Sequence, residues 1–408
     1  MKSPIALSLS LLPFLTTPVL SAQPYSSWMA SSFLAKGVEK DLGYEQAVLY
    51  RALDKVHTAT GNASYSSFID SQLEGLVNDD GSIADWPPEK KSLDDFRMGN
   101  IYLLLWEKTG EEKWKVAADT LRDRLNVQPR NEEGGFWHRD PDYPNQMWLD
   151  GIYMALPLYV HHTRLFAPTN ATAFLDVHKQ FTLIHEHVYN ETTRLLYHGY
   201  DGSEPASSRR NWSDPETGAS PYVWSRALGW WTMAAVDILE ELDALLANSS
   251  ATGDMQHVKT NAADLKAQFQ DVMSGVIDVQ RVGNTSDTAN GWLLLLDPEL
   301  AEREGNYIES SGSAMFVYSL LKGLRLKYFT GDLAQRAKTA GTTGYQGLVQ
   351  NFVKANATGG YLNWEGTVEV GSLKGDASYE YYTTVPVVEN DLKGAGPFIL
   401  ASLEYEAL

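Results

Sequence analysis

Apolar positions along the chain recur mostly at the i, i+3, i+4, i+7 spacing of amphipathic helices, and strand-like alternation is confined to short stretches. About a dozen helices are predicted, starting near Tyr44, Ser64, Asp94, Lys113, Asp150, Thr172, Ser225, Met255, Ala289, Ser310, Leu333 and Gly396. Segments 127–147, 199–222 and 357–394 are rich in Gly, Pro, Asn, Asp and Ser and read as loops. VHTATGNASYSSF, LWEKTGEEKWKVA, LFAPTNATAFLDV and LKYFTGDLAQRAK, centred on Thr60, Thr109, Thr169 and Thr330, form a weak repeat. In each, an apolar helix ends, the chain turns through Thr-Gly or Thr-Asn, and the next helix begins. Gly or Asn accepts the left-handed conformation that closes a helix, and a short turn makes the two helices antiparallel neighbours. Roughly six such hairpins predict an all-α fold, an (α/α)6 barrel in which six helical hairpins close into a toroid with inner helices facing one another. An open superhelical array is the competing arrangement, although its repeats should resemble each other more closely than these do.

The composition sharpens this picture. Among 408 residues, 43% are hydrophobic and 21% charged, enough apolar surface for a large core. Lys and Arg number 33 against 52 Asp and Glu, a formal charge of −19, which argues against nucleic-acid binding. Residues 1–22 read as an export signal: Lys2 is the basic end, Ile5–Leu15 the apolar run, and Val19, Ser21 and Ala22 the small residues before cleavage. A membrane anchor is the alternative, but the run is shorter than the ~20 residues that span a bilayer. Residues 23–408 are then expected to form a single barrel domain in a secreted protein. Sequons at Asn62, Asn170, Asn190, Asn211, Asn248, Asn284 and Asn356 lead us to expect N-glycans from a eukaryotic secretory pathway. The absence of cysteine removes disulfide and thiolate chemistry.

Candidate chemistry concentrates in two stretches. Residues 134–160, GGFWHRDPDYPNQMWLDGIYMALPLYV, place Trp137, His138, Arg139, Trp148 and Asp150 in a loop that runs into a helix start. Asp150 can act there as a helix cap. Alternatively, the apolar wall before it desolvates the carboxyl, favours its protonated form and makes it a general acid. Residues 220–239, SPYVWSRALGWWTMAAVDIL, group Trp224, Arg226, Trp230 and Trp231, with Trp230 one turn after Arg226. Indoles stack on sugar rings and Arg makes paired hydrogen bonds to a carboxylate, a combination suited to an acidic sugar. The alternative is that the indoles are core and Arg226 pairs with an internal acid. Asp94 or Asp95 in KSLDDFRMGNIYLLLWEKTG supplies a second carboxylate, with capping expected of one of the two. Tyr44 and His198 cannot be assigned from pattern. His185-Glu186-His187 and the His161-His162 pair lack zinc spacing, so neither a metal nor a cofactor is expected. No G-x-S-x-G elbow, P-loop or Rossmann fingerprint is visible, and carbohydrate chemistry is the class that remains.

From about Tyr44 onward the chain resembles glycoside hydrolase family 105, the unsaturated rhamnogalacturonyl hydrolases, and less closely the unsaturated glucuronyl hydrolases of family 88. The resemblance rests on FWHR with YPNQMWLDGIYM, VWSRALGWW, YIESSGSAMFVYSLLKG and GAGPFILAS. It implies an (α/α)6 barrel acting on 4,5-unsaturated uronic acids at the ends of lyase-generated oligosaccharides, with rhamnogalacturonan fragments as substrate. By this chemistry an Asp protonates C4, water adds at C5, and the hemiketal opens to release the leaving sugar. Carried over by motif, the acid/base is Asp150 and the second carboxylate Asp94, with Asp95 as fallback. The resemblance implies that Tyr44, His138, Arg139, His198, Trp224, Arg226 and Trp230 line the sugar pocket. Arg139 stands where the family often has Lys. Since a net charge of −19 repels an acidic oligosaccharide at long range, binding is expected to depend on a local basic pocket built on Arg139 and Arg226. Action on unsaturated glucuronyl disaccharides, ordinary inverting hydrolysis and sugar binding without turnover are the competing functions.

Overall fold

The computed structural model describes residues 23–87, 89–247, 253–283, 290–356 and 360–408. The expected export segment and the sequons at Asn248 and Asn284 lie outside them. The α-helices among these residues are α1 (Tyr25–Lys36), α2 (Tyr44–Thr60), α3 (Ser64–Leu73), α4 (Arg97–Thr109), α5 (Glu112–Leu125), α6 (Leu149–Phe166), α7 (Ala171–Val188), α8 (Ser225–Ala247), α9 (Asp254–Asp278), α10 (Ser310–Arg325), α11 (Gly331–Phe352), α12 (Tyr379–Thr384) and α13 (Leu392–Glu406). None of them is long and apolar enough to cross a membrane.

Packing follows the hairpin logic. Helices α2, α4, α6, α8, α10 and α13 contact one another in that order, and α13 returns to α2. Each has a second helix against it: α3 on α2, α5 on α4, α7 on α6, α9 on α8, α11 on α10 and α1 on α13. The two sets differ as a core-facing and a half-solvated helix should. In α8 every residue from Ser225 to Leu239 is buried, whereas α9 buries the stripe Val258, Ala262, Leu265, Phe269, Val272 and Val276, widening only near its end at Met273–Gly275. The result is an all-α barrel. The turns are those of the repeat: Gly61 and Gly110 close α2 and α4 in the left-handed region, and the Asn170 side chain caps α7 by accepting from the Ala173 N–H.

Three expectations are corrected. The segment from Asp94 opens as a 3₁₀ turn, Leu93–Phe96, before α4. Ala289, where a helix is expected, lies outside the described residues, and from Asn290 to Asp297 the chain is extended, with single bridges Arg281 to Gly291, Trp224 to Leu295 and Leu293 to Ile308. Its apolar run Trp292–Leu296 is buried all round, and periodicity cannot separate such a run from a buried helix. The expected loops also carry short antiparallel pairs, including Lys91–Ser92 with Arg139–Asp140 and Gln146–Trp148 with Gly199–Asp201, and segment 357–394 contains α12.

The middle of the barrel is polar and tightly paired. Asp237 of α8, 5% exposed, accepts from Arg51 of α2 at 2.9 Å, Lys322 of α10 at 2.6 Å and the Tyr318 hydroxyl at 2.7 Å. Arg97 of α4 lies 3.9 Å from the centre of the Tyr153 ring on α6 and donates to the Tyr153 hydroxyl at 3.0 Å. Burial alone raises the proton affinity of Asp237, but Arg51 and Lys322 overwhelm it and hold the carboxyl far below its ordinary value of 3.8. The stabilisation from this depressed pKa is fully present above pH 3.8 and fades as the pH falls below it. Replacing Asp237 by Asn takes the paired carboxylate from buried Arg51 and leaves Lys322 with Glu240 alone, and should cost roughly 3–5 kcal/mol. Chemical denaturation at neutral pH measures this; a loss below about 1 kcal/mol, the level of an exposed pair, would show that the cluster is dispensable.

Candidate active site

At one end of the barrel the inner helices present their N-termini, and the residues singled out in the sequence stand there: Tyr44 opens α2, Asp94 precedes α4, Asp150 lies in the first turn of α6, and Trp224 and Arg226 flank the start of α8. Helix N-termini carry partial positive charge, so this end favours anions despite the net charge of the chain. Glu45, Asp94 and Asp150 all raise the proton affinity of the Tyr44 hydroxyl, and Arg226 opposes them. Burial comes first in pushing the Tyr44 pKa well above its ordinary value, so Tyr44 remains a neutral phenol.

Asp150 is set by the two short strand pairs. Pairing of Trp148 with Gly199 brings His198 beside the start of α6. A Cβ at Gly199 would stand 2.5 Å from the Met147 carbonyl, so only glycine permits this approach. His198, fully buried, places Nε2 3.1 Å from Asp150 Oδ2 and Nδ1 2.7 Å from the Tyr382 hydroxyl. The His138 ring stacks on Trp148 at 4.4 Å, which in turn lies 5.3 Å from the His198 ring. Gly151 lets His138 and Leu93 close over the helix start: an added Cβ would meet Leu93 at 2.6 Å and His138 Nδ1 at 3.2 Å.

The electrostatics overturn one expectation. Burial does raise the proton affinity of Asp150, but the His198 hydrogen bond, with the charges that His198 and His138 carry when protonated, outweighs it, and the carboxyl lies below 3.8. Asp150 is therefore an ionised carboxylate in the free protein, not the protonated acid that its apolar wall alone implies. It is not the helix cap either: Trp148 holds the N-cap position, with no side-chain cap bond. Burial pulls the His138 pKa down, the dominant effect there, so His138 is neutral at pH 7.

The Asp94–Asp95 pair divides between two faces of the 3₁₀ turn. Asp94 Oδ2 accepts from Arg139 Nη2 at 2.5 Å and Ser92 Oγ at 3.2 Å, and its Oδ1 lies 3.7 Å from His138 Nε2. The register Ser92 opposite Arg139 builds this contact. Asp95 instead accepts from Lys90 at 2.7 Å and lines a separate cavity of about 350 Å³ beside Trp86 and Lys40. Arg139 is committed on one edge to Asp94 and remains about a third exposed on its side chain.

Arg226 is corrected. Its guanidinium, 1% exposed, donates to the carbonyls of Val368 at 2.5 Å and Glu369 at 2.7 Å, and approaches Ser311 Oγ at 3.3 Å. Both terminal nitrogens are thus used inside the protein, and Glu309 lies 3.9 Å away. The expected paired clamp on a substrate carboxylate is not what this geometry offers. Arg226 pins the 368–369 segment beneath Trp224, whose ring it faces at 4.6 Å. Trp230, also buried, stacks on Tyr153 at 4.9 Å and meets Tyr44 edge-on at 6.5 Å, so it forms the floor. Tyr382 and Glu309 were not singled out in the sequence. Glu309 is marked by the Glu-Ser-Ser-Gly run that it caps, accepting from the Gly312 N–H at 2.7 Å; Tyr382 has only the tyrosine-rich stretch Tyr379–Tyr382 to mark it.

The same fold occurs in known proteins. The model of glycosyl hydrolase family 88 matches residues 25–408. Protein Atu3128 of Agrobacterium fabrum is 35% identical over 217 residues, 52% of this chain and 81% of its own length, and the 24.9 kDa protein in the picA locus of Rhizobium radiobacter matches to the same extent. A solved glycoside hydrolase from family 105 of C. acetobutylicum superposes with a TM-score of 0.83 at 35% identity, covering 95% of this chain and all (100%) of its own. The unsaturated glucuronyl hydrolase of Bacillus sp. GL1 shares the fold, with a TM-score of 0.63 at 14% identity over 93% of this chain and 95% of its own. The chain therefore belongs to the glycoside hydrolases of the family 88 and family 105 group.

Proposed function

We propose that this glycoside hydrolase removes 4,5-unsaturated galacturonic acid from the non-reducing end of rhamnogalacturonan fragments left by lyases, on a closed (α/α)6 toroid. One observation carries the reading. Of the two carboxylates at the starts of α4 and α6, Asp94 is neutralised by Arg139, whereas Asp150 among the described residues pairs with a histidine. A bare vinyl ether needs one group that delivers and then accepts a proton, not two carboxylates acting as acid and nucleophile.

The steps follow from the groups present. The anionic sugar enters against the helix N-termini and the outer edge of Arg139, with Trp224 as an apolar wall. Its carboxylate adds negative charge near Asp150 and expels water, and both effects raise the proton affinity of the depressed carboxyl. Asp150, so protonated, transfers its proton to C4. Positive charge develops at C5, and a water adds there, its proton passing to the Asp150 carboxylate. The C5 hemiketal then opens, and the hemiacetal left at C1 releases the leaving sugar. Asp94, fixed by Arg139, orients sugar hydroxyls. Arg226 acts through the segment that it anchors.

Export and N-glycosylation belong to the same proposal. Their support is the sequence of residues 1–22 and the exposure of Asn62, Asn170, Asn211 and Asn356. Asn190 differs: it is half-buried and its amide donates to the Tyr197 hydroxyl at 2.9 Å.

Asp150→Asn, nearly isosteric, should retain folding and substrate binding while turnover falls roughly 10²–10⁴-fold, read as the loss of ultraviolet absorbance when the conjugated double bond is consumed. Activity near that of the wild type would remove Asp150 from this role. Turnover in heavy-oxygen water should put the label at C5 of the released uronate, and label at the reducing end of the leaving sugar would mean direct glycosidic hydrolysis. Arg226→Ala should lower the melting temperature together with activity, because it frees two buried carbonyls; a raised KM at unchanged stability would restore the direct clamp.

A further inference from the structure

Tyr382 belongs to α12, in a segment whose composition reads as loop, yet it reaches the centre of the site. Among the described residues its hydroxyl makes one hydrogen bond, to His198 Nδ1 at 2.7 Å, while the other nitrogen of the same ring faces Asp150 at 3.1 Å. Tyr382 is 1% exposed, and the Ser378 hydroxyl that caps α12 fixes its approach by accepting from the Tyr381 N–H at 3.1 Å.

The chain Tyr382–His198–Asp150 has a direction. An ionised carboxylate only accepts, so Nε2 of His198 must carry the hydrogen that faces Asp150. When the His198 ring is neutral it has a single N–H, which leaves Nδ1 as an acceptor, and the phenol is the donor that fills it. The opposite tautomer would aim a bare Nε2 lone pair at the carboxylate. Burial raises the pKa of Tyr382, so its O–H is retained throughout the working range.

We propose that Tyr382 is a positioning residue that locks His198 in the Nε2–H tautomer, and thereby sets the proton affinity of Asp150. The inference rests on Asp150 being the acid of the proposed reaction, but the tautomer itself does not. The charged and titratable groups around the relay are few. His138 of the 134–148 segment faces both His198 and Asp150, while Tyr381, Asp150 and Asp297 act on Tyr382. Asp297, pushed up by burial to about 6, accepts from the Val223 N–H at 2.9 Å. It titrates in the wild type and in a Tyr382 variant alike, so it cancels in their difference.

The test is ¹⁵N NMR of histidine-labelled protein, with the His198 signals assigned by their loss in His198→Gln, beside pH profiles of kcat/KM on an unsaturated disaccharide. In the wild type Nδ1 should be unprotonated and Nε2 protonated. In Tyr382→Phe the proton population should move toward Nδ1. Asp150 then loses the donor that favours its anion, its pKa rises, and the alkaline limb moves up by roughly one pH unit while the melting temperature is kept. An Nδ1–H tautomer in the wild type overturns the proposal, as does a folded Tyr382→Phe whose His198 signals and pH profile superimpose on the wild type. If Tyr382→Phe does not fold, the wild-type tautomer decides alone. Loss of the Asp150 role, shown by an active Asp150→Asn, leaves the NMR result standing and is thus distinguishable.

Discussion

The structure turns on the need to fill the centre of an all-α barrel without leaving a charge alone. Six inner helices leave an axis too wide for aliphatic side chains from one helix to close, and here it is closed by Asp237 drawing Arg51 and Lys322 inward from α2 and α10. Arg97 stacked on Tyr153 extends the same layer to α4 and α6. A buried carboxylate with a single cation barely offsets its desolvation, whereas one with two cations and a phenol is fully satisfied. The layer fixes how far each helix reaches, and two turns along α8 from Asp237, toward the helix N-terminus, it supports the Trp230 floor.

Above that floor, like groups are treated unequally. Asp94 and Asp150 stand at comparable positions before or within the first turn of an inner helix, yet one meets a guanidinium and the other an imidazole. Arginine remains a cation throughout, but histidine changes its charge and its tautomer. The carboxylate beside the histidine is thus the one whose proton affinity an incoming anion can move. The acidic surface of the protein and the acidic ligand proposed for it are reconciled locally, by helix N-termini and a few buried nitrogens, with no need for long-range attraction.

Much of this was legible in the sequence. Thr-Gly and Thr-Asn turns marked the hairpins because Gly and Asn tolerate the left-handed cap, and MWLDG marked a carboxyl among apolar groups. The ionisation state of Asp150 was not legible, since it is set by His198, which lies 48 residues away in sequence and comes close only through a strand pairing that needs Gly199. Nor was the role of Arg226: its acceptors are backbone carbonyls 142 and 143 residues distant, and no side-chain pattern announces a carbonyl. The run Trp292–Leu296 failed for a different reason, because complete burial erases the periodicity that separates strand from helix.

Helix α13 contacts both α10 and α2. Among the inner helices, the pairing of α2 with α13 joins the two that lie farthest apart in sequence. Hairpins assembled from neighbouring segments cannot supply that contact, so its loop-closure entropy is met only when the two ends of the helix series come together.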